Sequence, residues 1–593
     1  GPAAKDAIAQ ILTNSRMCAE GHRPICQDTG IVNVFVKWGM NCRLDSERSL
    51  QEVVDEGVRR AYNHPDNKLR ASILADPAFT RRNTRDNTPC VLSVEMVPGN
   101  SIGVDVAAKG GGSENKSKFK MMNPSDNIVD WVLEQIPSMG AGWCPPGMLG
   151  IGIGGTAEHC MKLAKQSLMD PIDMGQLKQR GAQSDIEQLR IDIFDAVNAM
   201  GVGAQGLGGL STVLDVKILD APCHAAGKPV AMIPNCAATR HAHFTLDGSG
   251  PAYLEPPRLD EYPQVTWKPD AAAKRVDLDA LSPEEVASWE HGDRLLLSGK
   301  MLTGRDAAHK RIKDMLDAGE ELPVEFKGRV IYYVGPVDPV GEEVVGPAGP
   351  TTATRMDKFT RMMLDQGLLA MVGKAERGPA ATDAIREGKS AYLMAVGGAA
   401  YLVSRAIKGS KVVGFEDLGM EAIYEFEVQD FPVTVAVDSE GIRKVFAAAK
   451  EADNKGLKIV CGLQRRYDPK YIATAEEIAK GTAGDIVGGS VYWNSGGVWV
   501  NPRNDGESEM QFQMRNWYYF NWLCGDHIME QHIHNIDVAN WLIGSTPVKA
   551  TGMGGRQVRV GPEFGEIFDH HIVEFEYENG VIINSFSRHQ KNT

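Results

Sequence analysis

Hydrophobic positions along the first 250 residues recur alternately with the period of a helix and that of a strand. Apolar residues at helical spacing predict helices, and runs rich in valine, isoleucine and aromatic residues predict strands. The helices are predicted at 4–20, 48–63, 156–168 and 184–200, and the strands at 31–38 and 101–109. The pattern at 4–20 begins without a capping residue outside it, so we expect the chain to be truncated at its N-terminus.

A proline-rich stretch at 248–269 interrupts this pattern and predicts an extended linker. After it, strand and helix patterns alternate up to residue 441, which indicates a compact α/β domain. The strands are predicted at 324–334, 369–372 and 389–396 and in two runs within 421–437, and the helices at 355–366 and 380–387. We therefore predict an α/β and α+β multidomain protein with domains at 1–250, 276–441 and 442–593 and a linker at 251–275.

The composition excludes several classes of partner. The chain has 593 residues and a formal net charge of −14, so it has no basic surplus to neutralise nucleic acid phosphates or an anionic membrane. No run approaches the ~18 apolar residues that a membrane span needs, and the first residues lack the features of a signal peptide. We expect a cytoplasmic protein.

Three of the ten cysteines lie in loops rich in proline and small residues: Cys26 in Arg-Pro-Ile-Cys-Gln-Asp-Thr-Gly, Cys144 in Gly-Trp-Cys-Pro-Pro-Gly and Cys236 in Pro-Asn-Cys-Ala-Ala-Thr-Arg-His. Three thiolates from separate loops are the ligand set of a [4Fe-4S] cluster with one iron open to substrate. With no Cys-x-x-Cys pair, the thiols are expected to be reduced. The other cysteines are interpreted as small buried hydrophobic residues: Cys18, Cys42, Cys90, Cys160, Cys223, Cys461 and Cys524.

Two glycine-rich stretches leave alternatives open. Gly110 begins a run of three glycines that forms either a flexible turn or a loop whose backbone N–H groups approach an anion. Residues 150–155 contain Gly-x-Gly-x-x-Gly ahead of a predicted helix, but two prolines precede them, where a dinucleotide-binding unit needs a buried strand. We do not expect a nucleotide there.

Residues 3–441 resemble class I (iron-sulfur) fumarate hydratases. The motifs occur in the family's order: Cys-Gln-Asp-Thr-Gly at 26–30, Lys-Gly-Gly-Gly-Ser-Glu-Asn-Lys at 109–116, Cys-Pro-Pro at 144–146, Cys-Ala-Ala-Thr-Arg at 236–240, Arg-Asp-Ala-Ala-His-Lys-Arg at 305–311, Gly-Pro-Thr-Thr-Ala-Thr-Arg-Met-Asp at 349–357 and Leu-Gly-Met-Glu-Ala-Ile at 418–423. The resemblance implies a swivelling β/β/α domain over the cluster, and a homodimer.

The same resemblance implies roles for individual residues. The cluster ligands would be Cys26, Cys144 and Cys236. The catalytic residues would be Thr351, as base or proton relay, with Asp28 polarising it, and His224. The contacts to a small dicarboxylate substrate would be Gln27, Arg70, Gly110, Arg305, Arg355 and Lys374.

Residues 442–593 resemble instead the later part of Gfo/Idh/MocA oxidoreductases, through Gln-Arg-Arg-Tyr at 464–467, Gly-Asp-His at 525–527 and the run from Glu530 to Trp541. A helix at 442–455 and a strand at 458–462 are predicted at its start. That family carries its phosphate-binding glycines and its Glu-Lys-Pro before the junction, and neither precedes residue 442 in the right context. We therefore expect no NAD(P) binding by this chain, assign no activity to Glu530 and His534, and expect a chimera.

Several histidines in this last segment could be interpreted as ligands of a metal site. They are His527, His532, His534, His570 and His571. We interpret them as polar residues on a sheet face rather than as metal ligands.

The expected function is the reversible hydration of fumarate to (S)-malate. A related tartrate or mesaconate dehydratase would share every motif, and the single-chain arrangement favours fumarate. A sugar oxidoreductase would need a phosphate-binding loop that the chain lacks. In the non-enzymatic alternative, the C-terminal segment exposes an unpaired sheet and disrupts the whole chain.

Overall fold

The computed structural model describes residues 2–439, 452 and 462–590. The chain divides into two compact units, 1–451 and 452–593. The helix predicted at 442–455 and the strand at 458–462 lie essentially outside the described residues, as does Cys461.

The α-helices among the described residues are α1 Pro2–Gly21, α2 Leu50–Tyr62, α3 Gly111–Glu114, α4 Ile128–Met139, α5 Ala157–Ser167, α6 Met174–Arg180, α7 Asp185–Ala199, α8 Pro283–Ala287, α9 Asp306–Ala318, α10 Thr360–Asp365, α11 Pro379–Glu387, α12 Ala400–Ser404, α13 Pro469–Ala479, α14 Glu509–Arg515 and α15 Ile533–Ile543. Polar caps explain several of their first residues. Ser49, for example, accepts from the backbone N–H of Glu52 while the Glu52 carboxylate accepts from the Ser49 N–H, which is a capping box.

The strands are β1 Ile31–Gly39, β2 Val91–Val97, β3 Ile102–Lys109, β4 Lys118–Met122, β5 Gly147–Gly155, β6 Val213–Cys223, β7 Lys228–Cys236, β8 His241–Leu246, β9 Lys274–Asp277, β10 Arg294–Thr303, β11 Val330–Tyr332, β12 Ala370–Gly373, β13 Ala391–Met394, β14 Ile407–Gly414, β15 Ile423–Val437, β16 Gly488–Ser495, β17 Lys549–Gly555, β18 His570–Glu576 and β19 Ile582–His589.

Three sheets build the first unit. Two have four strands, in the orders β2-β1-β3-β8 and β4-β7-β5-β6. The third has the order β14-β15-β13-β12-β11-β10-β9, and β15 also pairs with β10, so the strands from β10 to β13 close into a ring through β15. A buried apolar core that includes Tyr332, Leu393 and Phe431 belongs to this ring. The described residues of the second unit form one sheet, in the order β16-β19-β18-β17.

This architecture confirms the predicted mixed α/β, multidomain fold class. The predicted helices at 4–20, 48–63, 156–168, 184–200 and 380–387 correspond to α1, α2, α5, α7 and α11. Two predictions were wrong in detail. The expected helix at 355–366 begins with a 3-10 turn over Ala353–Phe359, and the two runs within 421–437 form the single strand β15. How many domains residues 1–441 contain stays a prediction.

The Gly-x-Gly-x-x-Gly stretch is largely a strand, which the sequence analysis did not expect. Gly150 and Gly152 lie inside β5, where a Cβ would come within 2.2 Å of the Ala164 carbonyl oxygen and 2.1 Å of the Cys160 carbonyl oxygen. These glycines therefore let α5 pack directly on β5. A dinucleotide fingerprint instead needs its glycines in the turn between strand and helix, so the stretch has a packing role.

Candidate active site

The candidate site lies at the carboxyl ends of four parallel strands of the seven-stranded sheet. Arg305 follows β10, Gly335 follows β11, Lys374 follows β12 and Gly397 follows β13. Ligands of open α/β sheets bind at this edge because the loops after the strands meet there. The sheet thus collects residues that are up to 92 positions apart in the chain.

Two of the three predicted cysteine ligands are brought together by strand pairing. Cys236 is the last residue of β7, and its strand partner is Gly147, the first residue of β5. Cys144 lies three residues before Gly147 in the same loop. A Cβ on Gly147 would approach the Cys236 Cα to 3.0 Å, so the absence of a side chain there allows the close approach of the two loops.

Cys26 joins them through the loop that precedes Thr351. Its Sγ lies 3.1 Å from the Gln27 Oε1, and the Gln27 Nε2 donates to the Pro350 carbonyl at 3.2 Å. A Cβ on Gly349 would lie only 2.4 Å from the Gln27 Oε1. The absence of a side chain at residue 349 thus leaves room for the Gln27 amide in the position seen here.

The three thiols are close enough to influence one another's ionisation. Burial raises the pKa of the Cys144 thiol to about 11, with Lys374 acting in the opposite direction and Cys236 and Cys26 adding to the rise. Burial likewise raises the pKa of Cys26, again opposed by Lys374 and supported by Cys236. Cys26, Cys144 and Cys236 are all free thiols. A cation that binds them must displace their protons, which couples binding to pH.

Gly397 forms one wall of this thiol pocket. A Cβ at this position would lie 2.6 Å from the Cys144 Sγ, 3.0 Å from the Gln205 Oε1 and 3.2 Å from the Lys374 Cδ. Gln205 in turn accepts from the Gly397 N–H at 3.0 Å and donates through Nε2 to the Pro145 carbonyl at 2.9 Å. Gln205 therefore connects the Cys144 loop to the loop after β13.

Buried arginines with unpartnered N–H groups lie on another side of the pocket. Arg70 and Arg305 are each 9% exposed. Nε of Arg70, Nε and Nη1 of Arg305 and Nη1 of Arg240 have no hydrogen-bond partner among the described residues. Burial and the charge of Arg305 together lower the pKa of Arg70 to about 10, with Asp28 acting in the opposite direction. Two cations this close, with donors to spare, are suited to a multiply charged anion.

Glu421 partly balances these charges, and the sequence analysis gave it no role. Its Oε1 lies 3.6 Å from the Arg305 Nη2, and its Oε2 accepts from the Ala307 N–H at 2.9 Å. Burial would raise the pKa of Glu421, but Arg305 and the Ala307 N–H, with Arg70 and Arg355, lower it overall. The residue stands in the Leu-Gly-Met-Glu-Ala-Ile motif, which was the available signal.

Asp28 is held as a carboxylate by its surroundings. It accepts from the Gly111 N–H at 2.7 Å and the Gly30 N–H at 3.1 Å, and its Oδ1 lies 3.7 Å from the Arg70 Nη2. Burial alone would raise its pKa, but Arg70, Arg240, Lys374 and the Gly111 N–H lower it to about 2.

The predicted pairing of Asp28 with Thr351 is not seen. Among the described residues, no hydrogen bond joins the Asp28 carboxylate to the Thr351 hydroxyl. Thr351 is buried, and its backbone is fixed on both sides, since its N–H donates to the Tyr333 carbonyl at 2.7 Å and its carbonyl accepts from the Lys374 N–H at 3.1 Å. Asp28 and Thr351 are related through Lys374, whose backbone N–H donates to the Thr351 carbonyl and whose charge lowers the pKa of Asp28.

Gly110 begins the glycine run, for which the sequence left open a flexible turn or a loop whose N–H groups approach an anion. Gly110 is the residue before α3, and a Cβ on it would lie 3.1 Å from the Arg240 Nη2 and 3.5 Å from the Asp28 Oδ2. Arg240 donates through Nε to the Ala108 carbonyl at 3.0 Å. Arg240 is thus a site residue for which the Cys-Ala-Ala-Thr-Arg motif was the signal, although no role was predicted for it.

Two of the predicted site residues, Arg355 and His224, lie farther from the thiol pocket than the others. Arg355 pairs with Asp306 at 2.8 Å and keeps 39% of its side chain exposed, so it lies at the rim. His224 lies in the exposed turn between β6 and β7, at the opposite end of β7 from Cys236. A nine-residue strand spans ~30 Å. Within a single chain, the predicted catalytic role of His224 is therefore not supported.

The match to known families agrees with this arrangement. The sequence profile of the family "Fumarate hydratase (Fumerase)" matches residues 1–245, and that of "Fumarase C-terminus" matches residues 248–448. The class I anaerobic fumarate hydratase of Escherichia coli is 31% identical over 456 residues, which cover 74% of this chain and 82% of that protein. The chain belongs to the class I fumarate hydratase family. Its enzymatic class is accordingly hydro-lyase.

Other relatives extend this comparison. Fumarate hydratase 2 of Leishmania major is 32% identical over 452 residues, covering 73% of this chain and 78% of that protein. A putative L(+)-tartrate dehydratase subunit alpha of Methanocaldococcus jannaschii is 36% identical over 246 residues, covering 40% of this chain and 83% of that subunit. The hydro-lyase chemistry is therefore shared by relatives named for two substrates.

The second unit matches a different family model. The profile "GFO/IDH/MocA C-terminal domain" matches residues 471–590, which confirms the predicted resemblance of the C-terminal segment to that family. A solved myo-inositol 2-dehydrogenase from Lactobacillus plantarum has 16% sequence identity to this chain. The match covers 38% of this chain and 54% of the dehydrogenase, with a TM-score of 0.19 that does not establish a shared fold.

In the part of the chain that the structure describes, no helix has the length and apolar character needed to cross a membrane.

Proposed function

We propose that this chain catalyses the reversible hydration of fumarate to (S)-malate with a [4Fe-4S] cluster held by Cys26, Cys144 and Cys236. The observation that carries the proposal is the meeting of three free thiols with buried arginines whose N–H groups lack partners. Three thiolates fit a cluster that leaves one iron without a protein ligand. Such an iron would supply Lewis acidity toward the substrate hydroxyl and one carboxylate.

The protein residues have distinct tasks in this proposal. Arg70 and Arg305 bind the substrate carboxylates through N–H groups that have no partner among the residues that the structure describes. Loss of the C3 proton from malate creates a dianionic aci-carboxylate, so cations fixed beforehand around the site stabilise it. Lys374, which is buried, supplies one such charge, and the N–H groups of the loop at Gly110 supply dipoles.

Proton transfer at C3 is assigned to Thr351. Because its backbone is fixed by Tyr333 and Lys374, its hydroxyl has little freedom to move away from the site. Asp28 stays ionised and neutralises part of the arginine charge, which reduces the repulsion between the cationic side chains when no substrate is bound. We further propose a cytoplasmic homodimer that acts on a small dicarboxylate and on no nucleic acid or membrane.

The test is anaerobic reconstitution of the full chain with iron and sulfide, followed by measurement of cluster absorbance and fumarate consumption. C144S should lose both signals, whereas C223S, which changes an exposed cysteine outside the thiol pocket, should keep both. Air should abolish activity as the open iron is lost, and added iron with a reductant should restore it. Turnover that persists after the iron has been lost would contradict the cluster assignment.

One relative supports a second candidate. Because the tartrate dehydratase subunit named above is 36% identical over 246 residues, tartrate and mesaconate should be assayed beside fumarate. A chain that forms its cluster, leaves fumarate unchanged and consumes L-tartrate would move the assignment to that substrate.

A further inference from the structure

Three potential metal ligands meet in the second unit, apart from the thiol pocket. They are Asp526, His527 and His571, and their ligand atoms all lie within 4.8 Å of one another. The first two precede the π-helical turn Ile528–His532, and the third is on β18. The fold thus joins residues 44 positions apart in sequence.

His527 is buried without the hydrogen bonds that burial requires. Its exposure is 0%, and neither Nδ1 nor Nε2 has a hydrogen-bond partner among the described residues. An imidazole shielded from water with both nitrogens unpaired is destabilising unless something else satisfies them. Each nitrogen of a neutral imidazole offers either a donor or a lone pair, and the lone pair is a metal ligand.

The distances fit a tetrahedral ion. The His527 Nδ1 lies 3.2 Å from the Asp526 Oδ1, and the His571 Nε2 lies 3.4 Å from the Asp526 Oδ2. Ligand bonds of ~2.0–2.1 Å to zinc in tetrahedral geometry place neighbouring ligand atoms about 3.3–3.4 Å apart. Each imidazole thus lies at about this spacing from one of the two Asp526 oxygens, so the group is close in size to a zinc coordination shell.

The Asp526 carboxylate is fixed before any ion binds. Its backbone is left-handed, with φ at +65°, and its Oδ2 accepts from the Phe568 N–H at 2.7 Å. The His571 ring meets the His527 ring edge to face, with centroids 4.6 Å apart. Preorganised ligands of this kind lose little conformational freedom when they bind.

A third histidine, His589, lies next to the group, but its Nδ1 faces another partner. The His589 ring stacks on His527 with centroids 4.4 Å apart, and its Nδ1 faces the Arg559 Nη1 at 3.3 Å. Because arginine only donates, this Nδ1 must accept, and the neutral ring then carries its proton on Nε2. His589 is therefore not available as a ligand in this arrangement, and one coordination position is left for water or a small ligand.

We propose that Asp526, His527 and His571 bind a divalent transition-metal cation of the Zn²⁺ class. Two imidazoles and one carboxylate favour Zn²⁺ over Ca²⁺ or Mg²⁺, which prefer all-oxygen sites. The sequence analysis interpreted His527 and His571 as polar residues on a sheet face, and the structure instead groups them with an aspartate. The site does not depend on the hydratase activity of the first unit.

The test is binding of Zn²⁺ alone to the full chain, followed by metal content after dialysis and X-ray absorption at the zinc edge. The expected result is a zinc with nitrogen and oxygen ligands at ~2.0–2.1 Å, distinguishable from zinc held by the thiol pocket, whose sulfur ligands lie at ~2.3 Å. D526N and H571Q should each remove that nitrogen and oxygen shell and weaken its binding at least ~10-fold.

The variants are chosen so that loss of the fold can be distinguished from loss of the metal site. Asparagine tolerates the left-handed backbone of residue 526, and glutamine at position 571 keeps a polar side chain at a position that is 14% exposed. H534Q is the matched control, since His534 lies in the same unit outside the group. A chain that retains no zinc beyond that bound to thiols, or folded D526N and H571Q chains that bind zinc as tightly as the parent, would overturn the proposal.

Discussion

The Nζ atom of Lys374 lies 2.8 Å from the Sγ atom of Cys144. This contact joins the loop after β12 to the loop before β5, so one cation touches a predicted cluster ligand while its backbone holds Thr351. In the proposed function, cluster binding and substrate chemistry would therefore share Lys374, and a change at this residue should affect both.

Replacing Lys374 by methionine should reduce kcat by about 10²–10³-fold, because a preorganised charge is removed from a buried site. The measurement is steady-state fumarate hydration by the reconstituted full chain, with cluster absorbance recorded on the same samples so that rates are expressed per cluster. K358M, at an exposed position of the same domain, is the control. Equal rates per cluster in K374M and the parent would contradict this role.

Replacing Arg305 by lysine should raise KM for fumarate by about 10–100-fold, since a lysine cannot reproduce the two-pronged contact of a guanidinium with a carboxylate. Arg305 is assigned this contact because its Nε and Nη1 are buried without partners among the described residues. R311K is the matched control in α9, the helix that Arg305 precedes, because Arg311 is more exposed than Arg305 and already pairs with Asp417. An unchanged KM in R305K would show that the unpartnered donors do not bind the substrate.

The sequence predicted the parts of this protein that depend on local pattern. The periodicity at 4–20 and 184–200 predicted helices close to their observed bounds, and the motifs predicted which cysteines meet. It could not predict that β15 pairs with both β10 and β13, because such pairing depends on contacts between distant residues. The same limitation explains why Glu421 and Gln205 were missed: each acts through partners more than 100 positions away.

Replacing Gly397 by alanine should prevent cluster assembly while leaving the fold largely intact. The added methyl group would lie 2.6 Å from the Cys144 Sγ, and relieving such overpacking costs about 1–3 kcal/mol. The measurement is iron and sulfide content after reconstitution, beside thermal unfolding of the cluster-free chain. G57A is the control, since a Cβ there meets nothing within 4 Å and lies in a helix. Full cluster content in G397A would show that the close contact between position 397 and the Cys144 Sγ does not limit cluster assembly.

The acid stability of the cluster-free chain should depend on Asp28. Burial would raise its pKa, but the neighbouring cations and the Gly111 N–H lower it to about 2, against an ordinary value of 3.8. A carboxylate whose folded pKa is lowered stabilises the fold fully above its unfolded pKa, and this stabilisation is lost as pH falls through the folded pKa. The contribution at stake is about 2 kcal/mol.

The corresponding experiment compares urea unfolding of the parent and D28N from pH 6 to pH 3. The stability difference between the two chains should be constant above about pH 5 and should shrink steadily below pH 4, as the parent loses the stabilisation that asparagine never had. D314N, which removes an exposed charge paired with Lys310, should show a much smaller change because solvent screens that pair. A difference between parent and D28N that stays constant down to pH 3 would mean that Asp28 is not held as a carboxylate by Arg70, Arg240 and Lys374.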